Sequence, residues 1–389
     1  MAPPSSRCLQ PPSWGEHSWV LLVDVTLPEP DRDSGSLRLS NMMRTLVSAG
    51  YRVAFVPDDG RTAGHRADVL RKQGVHVPQL TGAREIPAWL RHHGATLAAA
   101  VVCRHHTAGH WLPLVRAVAP QACVVFDTVD LHYLREQREA DLNADRRLQR
   151  FAHATRRREL GLVARADVTW VVSTIERDML REACPAADVR VLSNIIDVDT
   201  AGQPFDERRD LLFVGGLRHP PNRDAVEWLA RDIFPRIRKR LPEVQLHLVG
   251  SFGVGAGMSF TPGSGIHAHG HVTDLEPYLH GCRVALAPLR FGAGVKGKVN
   301  LSMAHGQPVV ATACATEGMH LQPGSDVLVA SDAETFVAEV VRLYHDPDLW
   351  QCLSDNGRLN VRRHFSPEAA LAVAEATLGP PSTSSSRHP

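Results

Sequence analysis

The sequence predicts an α/β protein built from two doubly wound, Rossmann-like domains that face each other across a cleft. Three observations lead there. The chain has 389 residues, beyond the size at which one core tends to divide, so two domains of roughly 180 residues each are expected. Short apolar runs alternate with longer amphipathic segments, which is the pattern of βαβ units and a parallel sheet covered on both faces. After the polar stretch TAGQPFDERRD (200–210) the alternation starts again.

The elements follow in order. Residues 1–17 and 379–389 are rich in Pro and Ser and read as disordered segments. A first domain is expected over 18–200. Its buried parallel strands are WVLLVDV (19–25), RVAFVP (52–57), AAAVVC (98–103), ACVVFD (122–127) and VTWVVS (168–173). Leu39, Met42, Met43, Leu46 and Val47 have helical spacing, and Gly50 is placed to cap that helix. A second domain is expected over 201–365. LLFVGG (211–216), VQLHLVG (244–250), RVALAPL (283–289) and QPVVAT (307–312) are its strands. NRDAVEWLARDIF, KVNLSMAH and ETFVAEVVRLYH are its helices. Asn222 is expected to be an N-cap, and Pro235 to break its helix in two. A last helix over 366–378, with Ser366 as N-cap and Pro367 at the first helical position, is expected to cross back to the first domain.

Composition excludes several function classes. With 43 basic and 42 acidic residues, the chain lacks the basic excess of a nucleic-acid binder. The seven cysteines, at 8, 103, 123, 184, 282, 314 and 352, include no C-x-x-C pair, so reduced cytosolic thiols are expected. The N-terminus shows no apolar signal core, and no apolar run reaches the ~18 residues that span a bilayer. A cytoplasmic protein is expected, with at most peripheral contact to the inner membrane face. The Arg-rich stretch DRRLQRFAHATRRREL is a possible contact to an anionic lipid surface. Its interleaved acidic residues favour a solvated helix.

The most informative stretch is FGAGVKGKVN (291–300). Gly292, Gly294 and Gly297 fit the dinucleotide pattern G-x-G-x-x-G, but that fingerprint follows the first strand of its domain and this loop follows a late one. Gly292, Gly297 and Lys298 fit a P-loop, except that Val299 stands where a Mg²⁺-binding hydroxyl should be. A third reading keeps the physics without the metal. A glycine turn brings backbone N–H groups and a helix start to an anion, and lysines add charge. Lys occurs only at 72, 239, 296 and 298, so half of the lysines lie here. The ligand is then a diphosphate neutralised by protein.

These segments resemble a known family. LLFVGGLRHPPNRDAVEWLARDIFPRIRKRLPEVQLHLVG and GHVTDLEPYLHGCRVALAPLRFGAGVKGKVNLSMAHGQPVVATACATEGM look like the donor half of the retaining GT-B glycosyltransferases, family 4 or "group 1" type. VLSNIIDVD is similar to that family's N-G-I-D turn, with Asn194 and Asp197 matching and Ile195 in place of Gly. The GVKGKVN run resembles the donor loop of a bacterial subgroup. The likeness covers nearly all of 19–370 and is most specific over 211–320.

The resemblance implies a GT-B architecture and transfer of a sugar from a UDP or GDP type donor to a sugar, lipid-linked or other small acceptor. Retention at the anomeric carbon and a role in surface polysaccharide, glycolipid or glycoconjugate synthesis follow from the same likeness. It places Arg218 (or His219) and Lys298 (or Lys296) on the diphosphate, where fixed cations stabilise the charge that develops on the leaving group. Gly216 and Asn222 flank Arg218. The nucleotide base is expected near His271, Val272 and Thr273. Gly294 and Val295 belong to the donor loop. The family's two glutamates, eight positions apart, are replaced by Ala293 and Leu301, which leaves Asn300 and Glu317 as the nearest acceptors for ribose and sugar hydroxyls. In the first domain, Gly35 is expected to offer backbone N–H groups and Arg38 charge. Asp130, His132 and His105 are candidates on the acceptor or sugar side. The His105–His106 pair reads as incidental, because no third ligand follows at zinc spacing. Asp197-Val198-Asp199 is a D-x-D triplet at an interdomain turn. No metal and no other cofactor is expected. Two alternatives stay open: a nucleotide-sugar epimerase of the same fold, and a binding protein that has lost transfer.

Overall fold

Successive residues along the first-domain strands serve two separate cores. Leu21 and Val23 belong to one cluster, Val20 and Leu22 to the other. Ala54 and Val56 divide from Val53 and Phe55 in the same way. Period-two side chains buried on both faces are what a covered parallel sheet requires. The computed structural model describes residues 18–198, 202–251, 260 and 263–381.

The first domain contains β1 (Trp19–Asp24), α1 (Ser34–Ser48), β2 (Val53–Pro57), α2 (His65–Lys72), α3 (Ile86–His93), β3 (Leu97–Cys103) and α4 (His105–Val118). It continues with β4 (Cys123–Asp127), α5 (His132–Asn143), α6 (Arg146–Val163), β5 (Val168–Val171), α7 (Thr174–Ala183) and β6 (Val189–Val191). The second domain opens with β7 (Arg209–Val214), α8 (Pro220–Trp228), α9 (Phe234–Arg240), β8 (Leu246–Val249), β9 (Ile266–Gly270) and α10 (Glu276–Gly281). Then come β10 (Cys282–Ala287), α11 (Gly297–Ala304), β11 (Val309–Ala311), α12 (Ala313–Thr316), β12 (Leu328–Val329), α13 (Ala333–His345) and α14 (Pro347–His364). Helix α15 (Pro367–Leu378) closes the described chain.

All pairings are parallel, in the orders β2-β1-β3-β4-β5-β6 and β12-β11-β10-β7-β8-β9. Strand order reverses beside β1 in one sheet and beside β7 in the other. Doubly wound sheets bind ligands in the crevice outside such a reversal, at the carboxyl ends of the strands.

Every expected strand forms. The short strands β9 and β12 and the long helix α14 were not legible as elements. Asn222 is a correction: His219 is the N-cap of α8, and Asn222 lies inside the helix. Pro235 does mark a change, because a π-helical turn over Leu229–Ile233 joins α8 to α9. That turn absorbs the hydrogen bond which proline cannot donate. Ser366 caps α15 through the N–H of Ala369. Ala370, Ala374 and Leu378 of α15 pack into the first-domain core, and Trp170 donates to the Thr377 hydroxyl at 3.1 Å. The last helix therefore rests on the first domain.

Asp199 of the D-x-D triplet lies outside the described residues, and Asp197 pairs with Arg44. Most arginines of α6 project to solvent, while Ala152, Thr155, Glu159, Leu162 and Val163 form its buried face. Among the described residues no helix is long and apolar enough to cross a membrane, and the described cysteines form no disulfide.

Candidate active site

Two glycine contacts set how closely the domains meet. Gly294 has φ +66, and a Cβ there would lie 3.1 Å from the Cβ of Asp130. A Cβ on Gly297 would lie 2.6 Å from the Cβ of Ser34, a distance no real side chain tolerates. The start of α11 thus abuts the start of α1. Asp33 caps α1 by accepting from the N–H of Ser36 at 2.8 Å. Two helix N-termini, with their partial positive charge, converge on one point of the crevice.

Polar contacts fasten the same seam. Arg138 on α5 donates to both carboxylate oxygens of Glu317, at 3.0 and 2.9 Å, and to the carbonyl of Gly292 at 2.7 Å. Asn194 donates to Oδ1 of Asn300 at 3.0 Å. His271 reaches Asp31 of the first domain at 2.9 Å. Val272 is half-buried beside it and packs in a small cluster around Leu212 and Leu279.

Lys298 lies on α11, beside the reversal between β7 and β10. Its Nζ donates to Oδ1 of Asn222 and sits 4.3 Å from the centre of the Phe213 ring. Asn222 in turn donates to the carbonyl of Gly216 at 3.0 Å. A Cβ on Gly215 would come within 2.8 Å of the Lys298 ammonium. Burial, reinforced by Lys296, lowers the pKa of Lys298 to about 7. Among the described residues no carboxylate pairs with it. Arg218 is exposed and makes no ion pair among the described residues. His219, next to it, keeps solvent contact. Desolvation in the crevice, with Arg135, Lys298 and Lys296 nearby, pushes it down to about 4, so it is neutral at pH 7.

Several expected site residues prove to be committed elsewhere. Arg38 is 2% exposed. It holds Asp127 through both carboxylate oxygens, at 2.6 and 3.1 Å, and donates to the carbonyls of Leu192 and Ser193. Its charge is neutralised inside the first domain. Lys296 turns back on its own loop and donates to the carbonyls of Ala293 and Gly294. Glu317 is occupied by Arg138. Asn300 is fully buried, with Oδ1 taken by Asn194 and Nδ2 without a partner. Val295 accepts from Asn194 at 3.4 Å through its carbonyl. Ala293 packs on the first-domain core, while Leu301 packs in the second domain.

Three more arginines lie at this seam: Arg104, which follows β3 beside the His105–His106 pair, and Arg135 and Arg138, which the sequence did not single out. Arg104 has φ +64, donates to Asp24 at 2.9 Å, and crowds the space over Gly35. Arg135 pairs with Asp130. Burial opposes ionisation of Asp130, but His132, Arg135 and Arg104 outweigh it and hold the pKa at about 2. Val129 beside it has φ +65, a strained conformation for a β-branched residue. Such strain persists where the surrounding structure over-determines the backbone, often at a functional site. Nothing in their spacing distinguishes Arg104, Arg135 and Arg138 from the other arginines.

Residues 208–346 match the model of a family described as glycosyl transferases group 1. A Klebsiella pneumoniae relative, described as an uncharacterized 44.6 kDa protein in cps region, is 26% identical over 140 residues. That match spans 34% of this chain and 36% of the relative's length. Among solved structures, sucrose-phosphate synthase from Thermosynechococcus elongatus aligns with a TM-score of 0.68 at 17% identity, over 92% of this chain and 98% of that one. Anabaena HepE in complex with UDP and glucose aligns with a TM-score of 0.70 at 13% identity, over 92% and 99%. The architecture is GT-B.

Proposed function

We propose that this chain, GT-B in fold and matched over 208–346 by the glycosyl transferases group 1 model, is a retaining glycosyltransferase. It uses a nucleoside diphosphate sugar, and protein cations rather than a metal hold the diphosphate. The observation that carries the proposal is Lys298, a half-buried, desolvated cation at the strand reversal that no carboxylate neutralises among the described residues. A desolvated cation without a counter-charge is costly, and it is tolerated where an anion completes the site. Structures of Anabaena HepE with UDP and with UDP-glucose support a uridine donor as the first to test.

In this reading the bond from the anomeric carbon to the diphosphate oxygen breaks as an acceptor hydroxyl approaches from the same face. The new carbon–oxygen bond forms, and the hydroxyl proton passes to the departing phosphate oxygen. Lys298, Arg218 and the N–H groups at the starts of α1 and α11 stabilise the charge on the leaving group. The acceptor meets the first-domain side, and closure of the seam keeps water from the donor. The relative from a cps region supports a surface glycan or its lipid-linked precursor as the acceptor.

The test is thermal-shift screening with UDP and GDP, followed by donor consumption with and without acceptor pools. The expected result is a shift with one nucleotide and acceptor-dependent consumption. Lys298→Ala and Arg218→Ala should each cut turnover by about 10² or more. Donor conversion without acceptor would identify an epimerase, and nucleotide binding without turnover a binding protein. Full activity in both variants would remove the site assignment.

A further inference from the structure

Strands β3 and β4 are parallel neighbours, with Cys103 opposite Asp127. The residues that follow them therefore emerge at one edge of the sheet. His105 and His106 open α4, and His132 opens α5. Ligand-type atoms of these three residues lie within 4.8 Å of one another. The His105 and His106 ring centres are 3.7 Å apart, and His132 approaches them edge-on at 4.8 and 5.5 Å.

His105 is the unusual member. It is 2% exposed, yet neither ring nitrogen has a hydrogen-bond partner. Buried polar side chains are nearly always paired, and an orphan calls for an explanation. Burial and the neighbouring His132 and His106 push His105 down to about 3, and burial lowers His106 too. Burial disfavours the imidazolium form of both rings, and the neutral imidazole is the form that binds metal. His132 is oriented from behind. Its Nδ1 lies 3.1 Å from the carbonyl of Asp130 and 3.5 Å from Oε1 of Glu159, which leaves Nε2 available. Glu159 is fixed by the N–H groups of His132 and Tyr133, at 3.1 and 3.0 Å. A carboxylate behind a histidine is the usual support of a metal-binding imidazole. Asp130 pairs with Arg135 through Oδ2, while its Oδ1 lies 3.4 Å from the same Nδ1 of His132.

We propose that His105, His106 and His132 form a site for one divalent transition-metal ion of the zinc class, held by three imidazole nitrogens with water in the fourth position. Tetrahedral zinc with bonds of about 2.0–2.1 Å places its ligand nitrogens roughly 3.3 Å apart. The rings must draw in by about an ångström or more, and His106, which is exposed, is free to do so and gives the ion its route in. The site is separate from the cations assigned to the diphosphate and does not depend on the transfer reading.

The test uses the untagged full chain, stripped with chelator and titrated with Zn²⁺ and with Co²⁺. One equivalent should bind at micromolar metal, raise the melting temperature, and give the visible Co²⁺ bands of a four-coordinate site. His105→Ala and His132→Ala should abolish binding. His106→Ala, at an exposed position that leaves the core intact, should weaken it more than about tenfold. His247→Ala, in a separate histidine group on β8, should leave it unchanged. Failure of the folded wild-type chain to bind at micromolar metal, or unaltered binding by folded His106→Ala, would overturn the proposal.

Discussion

Two cations, one buried in the first domain and one half-buried in the second, are held in different ways. Arg38, on α1, is locked to Asp127 with two backbone carbonyls completing its fork. Lys298, on α11, has one amide oxygen and an aromatic face. Arg38 is buried and neutralised, whereas Lys298 is half-buried and has no carboxylate partner among the described residues. A paired buried cation is a structural element of its own domain. An unpaired one leaves the free protein with a charge to satisfy, and a phosphate can satisfy it.

The largest effect should come from breaking the paired side. Arg38→Met strands the Asp127 carboxylate in the first-domain core and should cost about 3–5 kcal/mol of unfolding free energy, read from urea denaturation. A loss below about 1 kcal/mol would remove the contrast with Lys298.

Lys298→Met should have the opposite sign in the absence of ligand. The folded-state pKa of Lys298 falls from 10.5 to about 7, so the unfolded chain binds the proton more tightly. The resulting penalty is complete below about pH 7 and is relieved as pH rises towards 10.5. Wild type minus Lys298→Met stability should therefore climb with pH across that window and be flat below it. A variant that is less stable than wild type at pH 7 would show that the ammonium is already compensated.

The same group sharpens the comparison through binding. A diphosphate beside Lys298 restores its proton, so UDP binding near pH 8 should take up close to one proton. The uptake should vanish well below pH 7 and be lost in Lys298→Met. Calorimetry in buffers of different ionisation enthalpy measures it.

The smallest effect is expected at the seam. Arg138 and Glu317 pair across the domains but remain about a quarter exposed, so Arg138→Ala should change unfolding free energy by under about 1 kcal/mol. A change as large as that of Arg38→Met would mean that the seam, rather than the domain core, holds the chain together.

The fold was largely legible in the sequence. Strands such as 19–25 and 122–127 announce themselves because period-two burial on both faces leaves unbroken apolar runs. The glycine–lysine loop was legible too, because close backbone approach and charge are written in consecutive residues. The histidine group was not. His105 and His106 lie far along the chain from His132, and only adjacent parallel strands make them neighbours.

The sequence by itself determined two parallel-sheet domains and a glycine- and lysine-rich loop at the start of a helix, since periodicity, turn chemistry and residue charge are local properties. Only the tertiary structure decided which charges remain available. Arg38 meets Asp127 across 89 positions and Arg138 meets Glu317 across 179, while Lys298 meets no carboxylate among the described residues. Neutralisation acts over a few ångströms in space and depends on how much water is excluded, and neither quantity is encoded in a residue's neighbours along the chain.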